Sequence, residues 1–495
     1  MRKEMRKGVI AVMLIAILVF TMTATALGST VTQTITAYYN DITIYVNNQM
    51  IEPGEVNGIE VEPFIYNGTT YLPVRVIAEA LGQYVEWDVS TNSVYIEDDP
   101  DMISAVLVYD WEDLDNARNY LGKNYILMKD LDKSSPGYAM YASSAANGGK
   151  GWLPIGSSNE EPFMGSFFGN GHVISDLNVD RESSDFAGLF GVLKEGSIVN
   201  LGLVEVDIVG ANYSGGLVGR AFYNAIITNC YSTGMVSGVE HVGGLTGGVS
   251  GDKINKDPKV FALISDCYST CEVTGTDPEI GYIGGLSGAA GFGATVKDSY
   301  ATGDVTGILR VGGLLGATGN SSMIMGSYAT GDVVGTGNFV GGLLGGVGFK
   351  SSVSGCYATG DATGVNAVGG LIGNLTNEKT ELHATVDDCF ATGDVAGTAA
   401  VGGLVGRAFT NITITNTYSI GEVSGSMSVG GLVGAKDATA MAVASYWDTE
   451  TSGQASSVVG EGLDTDDMME EASYDSWDFD ETWTMEEDVT YPELR

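Results

Sequence analysis

Between Phe186 and Gly434 the apolar and small positions repeat one short pattern: an aliphatic or small residue, then Gly-Gly-Leu-x-Gly. Its nine copies, the first with Ala187 in place of the first glycine, are centred on Gly188, Gly216, Gly244, Gly285, Gly313, Gly342, Gly370, Gly403 and Gly431. Most steps are 28 or 29 residues, and the two exceptions, 41 and 33, read as loops inserted into a regular frame. Each period carries a second pattern, as in Ser299-Tyr300-Ala301-Thr302-Gly303-Asp304-Val305-Thr306-Gly307. Short β-branched runs such as Ile226-Ile227-Thr228 and Ile412-Thr413-Ile414 predict strands. A fixed period of this size predicts a solenoid in which each repeat is one coil and stacking makes the core. The fold class is therefore mainly β: a parallel β-helix of about 28-residue coils, preceded by a small α+β module. Leu and Val point inward, and Tyr or Phe stack at one position. Glycine occupies corners that need positive φ or close backbone approach. About ten coils at about 4.8 Å predict a rod about 45–50 Å long, with open ends that need caps.

Outside the repeats the pattern changes. Arg2, Lys3, Arg6 and Lys7, the apolar stretch Val9 to Phe20 and Ala24-Thr25-Ala26 predict a secretory signal over residues 1–28. In residues 34–98, Ile42 to Val46 alternates like a strand, and Phe64 to Leu72 reads as two strands around Asn67-Gly68. Pro73 starts a helix with Val74, Ile77, Ala78 and Leu81 on one face and Gly82 at its end; Tyr84 to Trp87 and Ser93 to Ile96 are further strands. Residues 105–209 form a leader and N-terminal cap, 210–446 the repeat array, and 447–495 an acidic C-terminal cap whose aromatics, Trp447, Trp477, Phe479, Trp483 and Tyr491, pack the end of the helix.

The net charge is −39, from 62 acidic and 23 basic residues. Such a surface repels nucleic acid and anionic lipid, so no nucleic-acid partner is expected. No second long apolar run follows the signal, so the mature chain is expected to have no stable membrane span. Cys230, Cys267, Cys356 and Cys389 share one repeat position, and Cys271 stands apart. Side chains stacked in register lie parallel about 4.8 Å apart, farther than the converging geometry of a disulfide, so free buried thiols are expected. A zinc site is not: there is no Cys-x-x-Cys, and His172, His241 and His383 are scattered.

Two resemblances follow from these strings. Tyr66-Asn67-Gly68-Thr69-Thr70-Tyr71-Leu72-Pro73-Val74-Arg75, Ala78-Glu79-Ala80-Leu81-Gly82 and Val85-Glu86-Trp87-Asp88 resemble the copper amine oxidase N-terminal-like (stalk) domain of exported bacterial proteins. The resemblance implies an accessory module acting at the cell wall, with Arg75 and Trp87 as candidate envelope contacts or as packing residues. It implies no copper chemistry, because no histidine precedes His172. The Gly-Gly-Leu-x-Gly repeats resemble the GLUG motif of bacterial surface proteins, which include adhesins and IgA-protease-type metallopeptidases. The leader string Gly169-Asn170-Gly171-His172-Val173-Ile174 also resembles the usual entry to that helix, although Phe168 stands where relatives commonly carry Asp. The metallopeptidase signature His-Glu-x-x-His is absent.

The candidate chemistry is acidic. Asp304, Asp332, Asp361 and Asp394 hold one repeat position on successive coils, flanked by Glu272 and Glu422. Carboxylates about 5 Å apart repel by roughly 1 kcal/mol per pair in water. Three arrangements relieve this: rotation into solvent, structural Ca²⁺ held between coils, or a catalytic carboxylate group. Repetition argues against the last, because an active site is made once from residues that differ between coils. The sequence thus points to an exported, non-catalytic protein at the cell surface or in the extracellular space. The β-helix would bind a cell-envelope polymer, a polysaccharide or a surface protein, and the stalk-like module would associate with the envelope; no cofactor is expected beyond structural Ca²⁺. The rival readings are a β-helix carbohydrate-active enzyme using the acidic ladder or the inserted Gly251 to Pro258 coil, and a spacer.

Overall fold

The computed structural model describes residues 105–251, 261–376, 384–409 and 411–495, together with short strands between Ile44 and Asp98. The chain divides into two units, Met1–Ile103 and Ser104–Arg495.

In the first unit the Asn-Gly turn joins Phe64–Tyr66 to Thr69–Tyr71 in an antiparallel pair. Gln83–Asp88 and Ser93–Asp98 form a second pair, in which Trp87 is opposite Val94. Ile44–Val46 pairs with Gln49–Ile51. The expected signal, the helix after Pro73 and Arg75 lie outside the described residues.

The second unit is a parallel β-solenoid of about nine turns over residues 166–447. One coil runs through Leu315–Thr318, Met323–Met325, Tyr328–Ala329, Val333–Gly335 and Asn338–Gly341. Every strand pairs in parallel with its equivalent one repeat on: Leu315 with Leu344, Ile324 with Val353, Tyr328 with Tyr357, Val333 with Ala362. The long 41-residue step does not break this register, because Ile227 still pairs with Ile264, Val236 with Val273 and Val242 with Ile283. In sequence, most of the extra residues fall between Thr246–Ser250 and Ala262–Ser265.

The glycines are explained by approach rather than by φ. A Cβ on Gly313 would lie 2.1 Å from the carbonyl oxygen of Gly342 in the next coil, and one on Gly316 2.3 Å from the Ile283 nitrogen in the coil before. Neither glycine has a positive φ. The left-handed corner between the two outer strands falls instead to Asn200, Asn229, Asp266, Asp298, Asp388 and Asn416, with Gly326 and Gly355 in two coils. Asn and Asp tolerate that conformation better than other side-chain-bearing residues.

The interior is dry and aliphatic: Leu286, Leu314, Leu343, Leu371 and Leu404 are fully buried in one row. All five cysteines are free and buried. Those in the row before the tyrosines alternate with Ser299, Ser327, Thr417 and Ser445, and the thiols of Cys230, Cys267, Cys356 and Cys389 hydrogen-bond to backbone carbonyls. At the N-terminal end, Trp111, Trp152, Phe163 and Phe167 seal the core, and the Trp111 and Trp152 indoles donate to the carbonyls of Asp132 and Leu189. Asp110 caps the short helix Trp111–Asn116.

The C-terminal region does more than close an end. Trp447 packs over Gly431 and Gly462, and Glu461–Leu463 adds one last parallel strand beside Tyr446–Asp448. The chain then turns back along the side of the final coils. There Met468, Tyr474, Trp477 and Trp483 form a second apolar cluster with Phe390, Tyr418 and Tyr446.

Candidate binding faces

The Tyr-x-Thr-x-Asp strings at Tyr300, Tyr328 and Tyr357, and their variants ending in Met235 and Glu272 at Tyr231 and Tyr268, place their odd positions outward, because side chains alternate across a strand. Tyr231, Tyr268, Tyr300, Tyr328 and Tyr357 stack with ring centroids 4.7–4.9 Å apart and ring planes within 5° of parallel. Each is half-buried. Phe390 and Tyr418 continue the row, but the folded-back tail covers them. Burial, and then the neighbouring phenols, push the hydroxyls of Tyr268, Tyr328 and Tyr357 up, so they stay protonated. Beside the rings runs a row of exposed threonines, Thr270, Thr302, Thr330 and Thr359.

Next to the threonines stand the acidic residues. Asp304, Asp332, Asp361, Asp394, Glu272 and Glu422 are all exposed. The carboxylates do not simply turn to solvent. Asp304 accepts from the Asp332 N–H at 3.0 Å, Asp332 from Asp361 at 3.0 Å, Asp361 from Asp394 at 2.8 Å and Asp394 from Glu422 at 2.8 Å. Each side chain therefore answers a backbone donor one coil along. A carboxylate accepting a backbone N–H offsets part of the repulsion between neighbours. Among the described residues no group of three or more His, Cys, Asp or Glu is placed to hold a metal ion. Trp87 lies on a strand of the first unit, and Arg75 lies outside the described residues.

A different side of the solenoid carries a feature that the sequence reading missed. Just before the central glycines of the first four copies, the rings of Phe186, Tyr213, His241 and Tyr282 stack with centroids 5.6, 4.3 and 4.7 Å apart. The Arg310 guanidinium covers the next face of Tyr282 at 5.0 Å. This stack borders a groove of about 480 Å³ that also involves Arg220, Phe222, Tyr223 and Glu240. Arg220 is held between Tyr213 and Phe222, 5.3 and 4.7 Å from their ring centres, and donates to Asn159 at 3.0 Å. Burial, with the Arg220 charge adding to it, pushes His241 down to about 4, so its ring is neutral at neutral pH. Glu240 comes within 3.2 Å of the His241 Nδ1 but out of line, and that nitrogen has no hydrogen-bond partner among the described residues. Burial also pushes the Glu240 carboxyl up. Aligning the residue three places before the central glycine would have shown Tyr213, His241 and Tyr282 in one row, with Phe186 two places before Gly188.

The tail is pinned by one side chain. Asp448 is fully buried and accepts from the Glu450 and Thr451 N–H groups and from the Thr465 and Tyr491 hydroxyls, at 2.7–3.0 Å. Burial alone would raise its carboxyl, but these donors outweigh it and hold Asp448 below its ordinary value.

These features define a repeat-built β-solenoid with outward aromatic rows, attached in sequence to a small β-hairpin module. Comparison with known proteins gives the same two parts. Residues 20–96 match the copper amine oxidase N-terminal domain, and residues 210–237, 280–306 and 364–396 match the GLUG motif. The chain is thus a GLUG-repeat protein with a copper amine oxidase N-terminal-like domain. Among similar proteins, halomucin of Haloquadratum walsbyi is 37% identical over 144 residues, which are 29% of this chain and 2% of that one. A protein of Evansella cellulosilytica, provisionally named a Gly-rich membrane protein, is 41% identical over 93 residues, 18% of this chain and 10% of that one. The chain therefore spans only a small part of the length of these relatives. A solved Bacteroides ovatus structure, provisionally named an immunoglobulin A1 protease, aligns over 79% of this chain and 92% of its own, at 16% identity and a TM-score of 0.37, too distant to bear on activity. Among the described residues no helix is long and apolar enough to cross a membrane.

Proposed function

We propose that this chain is an exported, non-catalytic surface protein. Its β-solenoid binds an extended polymer, glycan or protein, along the tyrosine–threonine–aspartate face, and its N-terminal module associates with the cell envelope. The observation that carries this reading is the strip of five half-exposed tyrosines at uniform spacing, flanked by threonine and carboxylate rows. Such a surface offers the same contacts at every coil and suits a repeating partner, in which many weak contacts sum. The carboxylates on it are spread one per coil and engaged with backbone donors, which supports recognition over catalysis. The GLUG motifs and the names of the relatives, one a halomucin and one a membrane protein, support a cell-surface or extracellular setting.

The test uses the purified full chain with isolated envelopes and a polysaccharide panel, scoring both retained protein and released sugar. Retention without product is expected, weakened at least tenfold by the double change Tyr300→Ala and Tyr328→Ala. Product release that disappears in Asp361→Ala would make the protein an enzyme and end this reading.

A further inference from the structure

The groove beside the second aromatic stack has a floor made by missing side chains. In register on successive strands, the outward position is Arg220, then Gly248, Ala289 and Ala317. Arginine thus closes one end, and three coils of bare backbone and methyl groups follow. The walls are the Tyr213–His241–Tyr282 stack on one side and Phe222 and Tyr223 on the other. At about 480 Å³ the space falls in the range of small-ligand sites.

The polar groups narrow the ligand class. The guanidinium of Arg220 has one protein acceptor, Asn159, and its other N–H donors have none among the described residues. The hydroxyls of Tyr213 and Tyr282 donate to no described protein group. Glu240 supplies an acceptor, while His241 is uncharged at neutral pH. A phosphate or other strong anion would meet Glu240 and the field of a chain carrying a net charge of −39. A cation would meet Arg220. A polyhydroxylated neutral molecule meets neither obstacle. Each of its hydroxyls both donates and accepts, so it can engage an arginine and a carboxylate together, and its C–H faces can pack on tyrosine and phenylalanine. The groove also runs along the stacking direction over several coils, as a short chain of sugar rings requires.

We infer that the groove over Gly248, Ala289 and Ala317 is a binding site for a short segment of a neutral glycan, held by Arg220, Glu240, Tyr213 and Tyr282. This site is independent of the broad tyrosine face and lies on another side of the coil.

The test is calorimetry of the full chain against neutral di- to tetrasaccharides of glucose, galactose, mannose and N-acetylglucosamine, and against the matching uronate oligomers. At least one neutral series should bind with a dissociation constant of about 1 mM or tighter. Arg220→Ala and Tyr282→Ala should each weaken it tenfold or more, and Ala289→Phe, which fills the floor from an outward position, should abolish it with an unchanged melting transition. The Tyr300→Ala, Tyr328→Ala pair should leave it intact, which separates this site from the broad face. Absence of binding by every neutral series, equal or tighter binding of uronates, or binding that survives Ala289→Phe would overturn the proposal.

Discussion

A Cβ added at Gly313 would meet the Gly342 carbonyl oxygen at 2.1 Å and the Ala329 methyl at 2.8 Å. The first of these is backbone of the adjacent coil and cannot swing aside. Gly313→Ala should therefore force two coils apart and cost about 1–3 kcal/mol or more, as overpacking does. Urea unfolding of the two proteins measures this; an unchanged midpoint would mean that coil spacing is looser than the structure has it. The aspartate row makes a second residue-scale claim. In Asp361→Ala the Asp394 N–H loses its acceptor, at a cost of about 0.5–1.5 kcal/mol, whereas Asp361→Asn keeps an acceptor and removes a repelling charge. The alanine variant should unfold at lower urea than the asparagine variant, most clearly at low salt. The reverse order would show that the carboxylates act only as surface charge.

At the scale of elements, the folded-back tail is held to the last coils by an apolar cluster and by Asp448. Because the folded value of Asp448 lies below an unfolded value of about 3.9, its contribution is fully present above that value and is lost as pH falls through the folded one. Acid titration should therefore loosen the tail below about pH 4, seen as a change in the emission of Trp477 and Trp483. Asp448→Asn should show that change already at neutral pH, since the Tyr491 and Thr465 hydroxyls lose a charged acceptor. If the variant keeps wild-type emission and melting, the aromatic cluster alone holds the tail.

For the whole molecule, the spacing of Gly-Gly-Leu-x-Gly made the solenoid, its inward leucines and its tyrosine row legible in sequence, because a period repeated nine times converts sequence position directly into height along the rod. The free cysteines followed from the same in-register logic. What the period could not reveal depends on direction or on absence. Whether Asp361 turns to solvent or to the Asp394 N–H depends on a rotamer. The groove exists because Gly248, Ala289 and Ala317 carry little or no side chain, and a gap in a stack is visible only once the stack is built. The long 41-residue step also obscured that part of the alignment. The tail's aromatics read as an end cap, and nothing in their order said that they would lie against the side of Phe390 and Tyr418.

The tyrosine row also has an optical consequence. Parallel phenol rings less than 5 Å apart over five coils are close enough for excitation to hop from ring to ring; Phe390, which absorbs at higher energy, is passed over, and Tyr418 and the indoles of Trp477 and Trp483 lie next beyond it. Light absorbed anywhere along the tyrosines has a downhill acceptor at one end of the rod, so the solenoid works as a short antenna whose colour of emission reports whether its tail is docked.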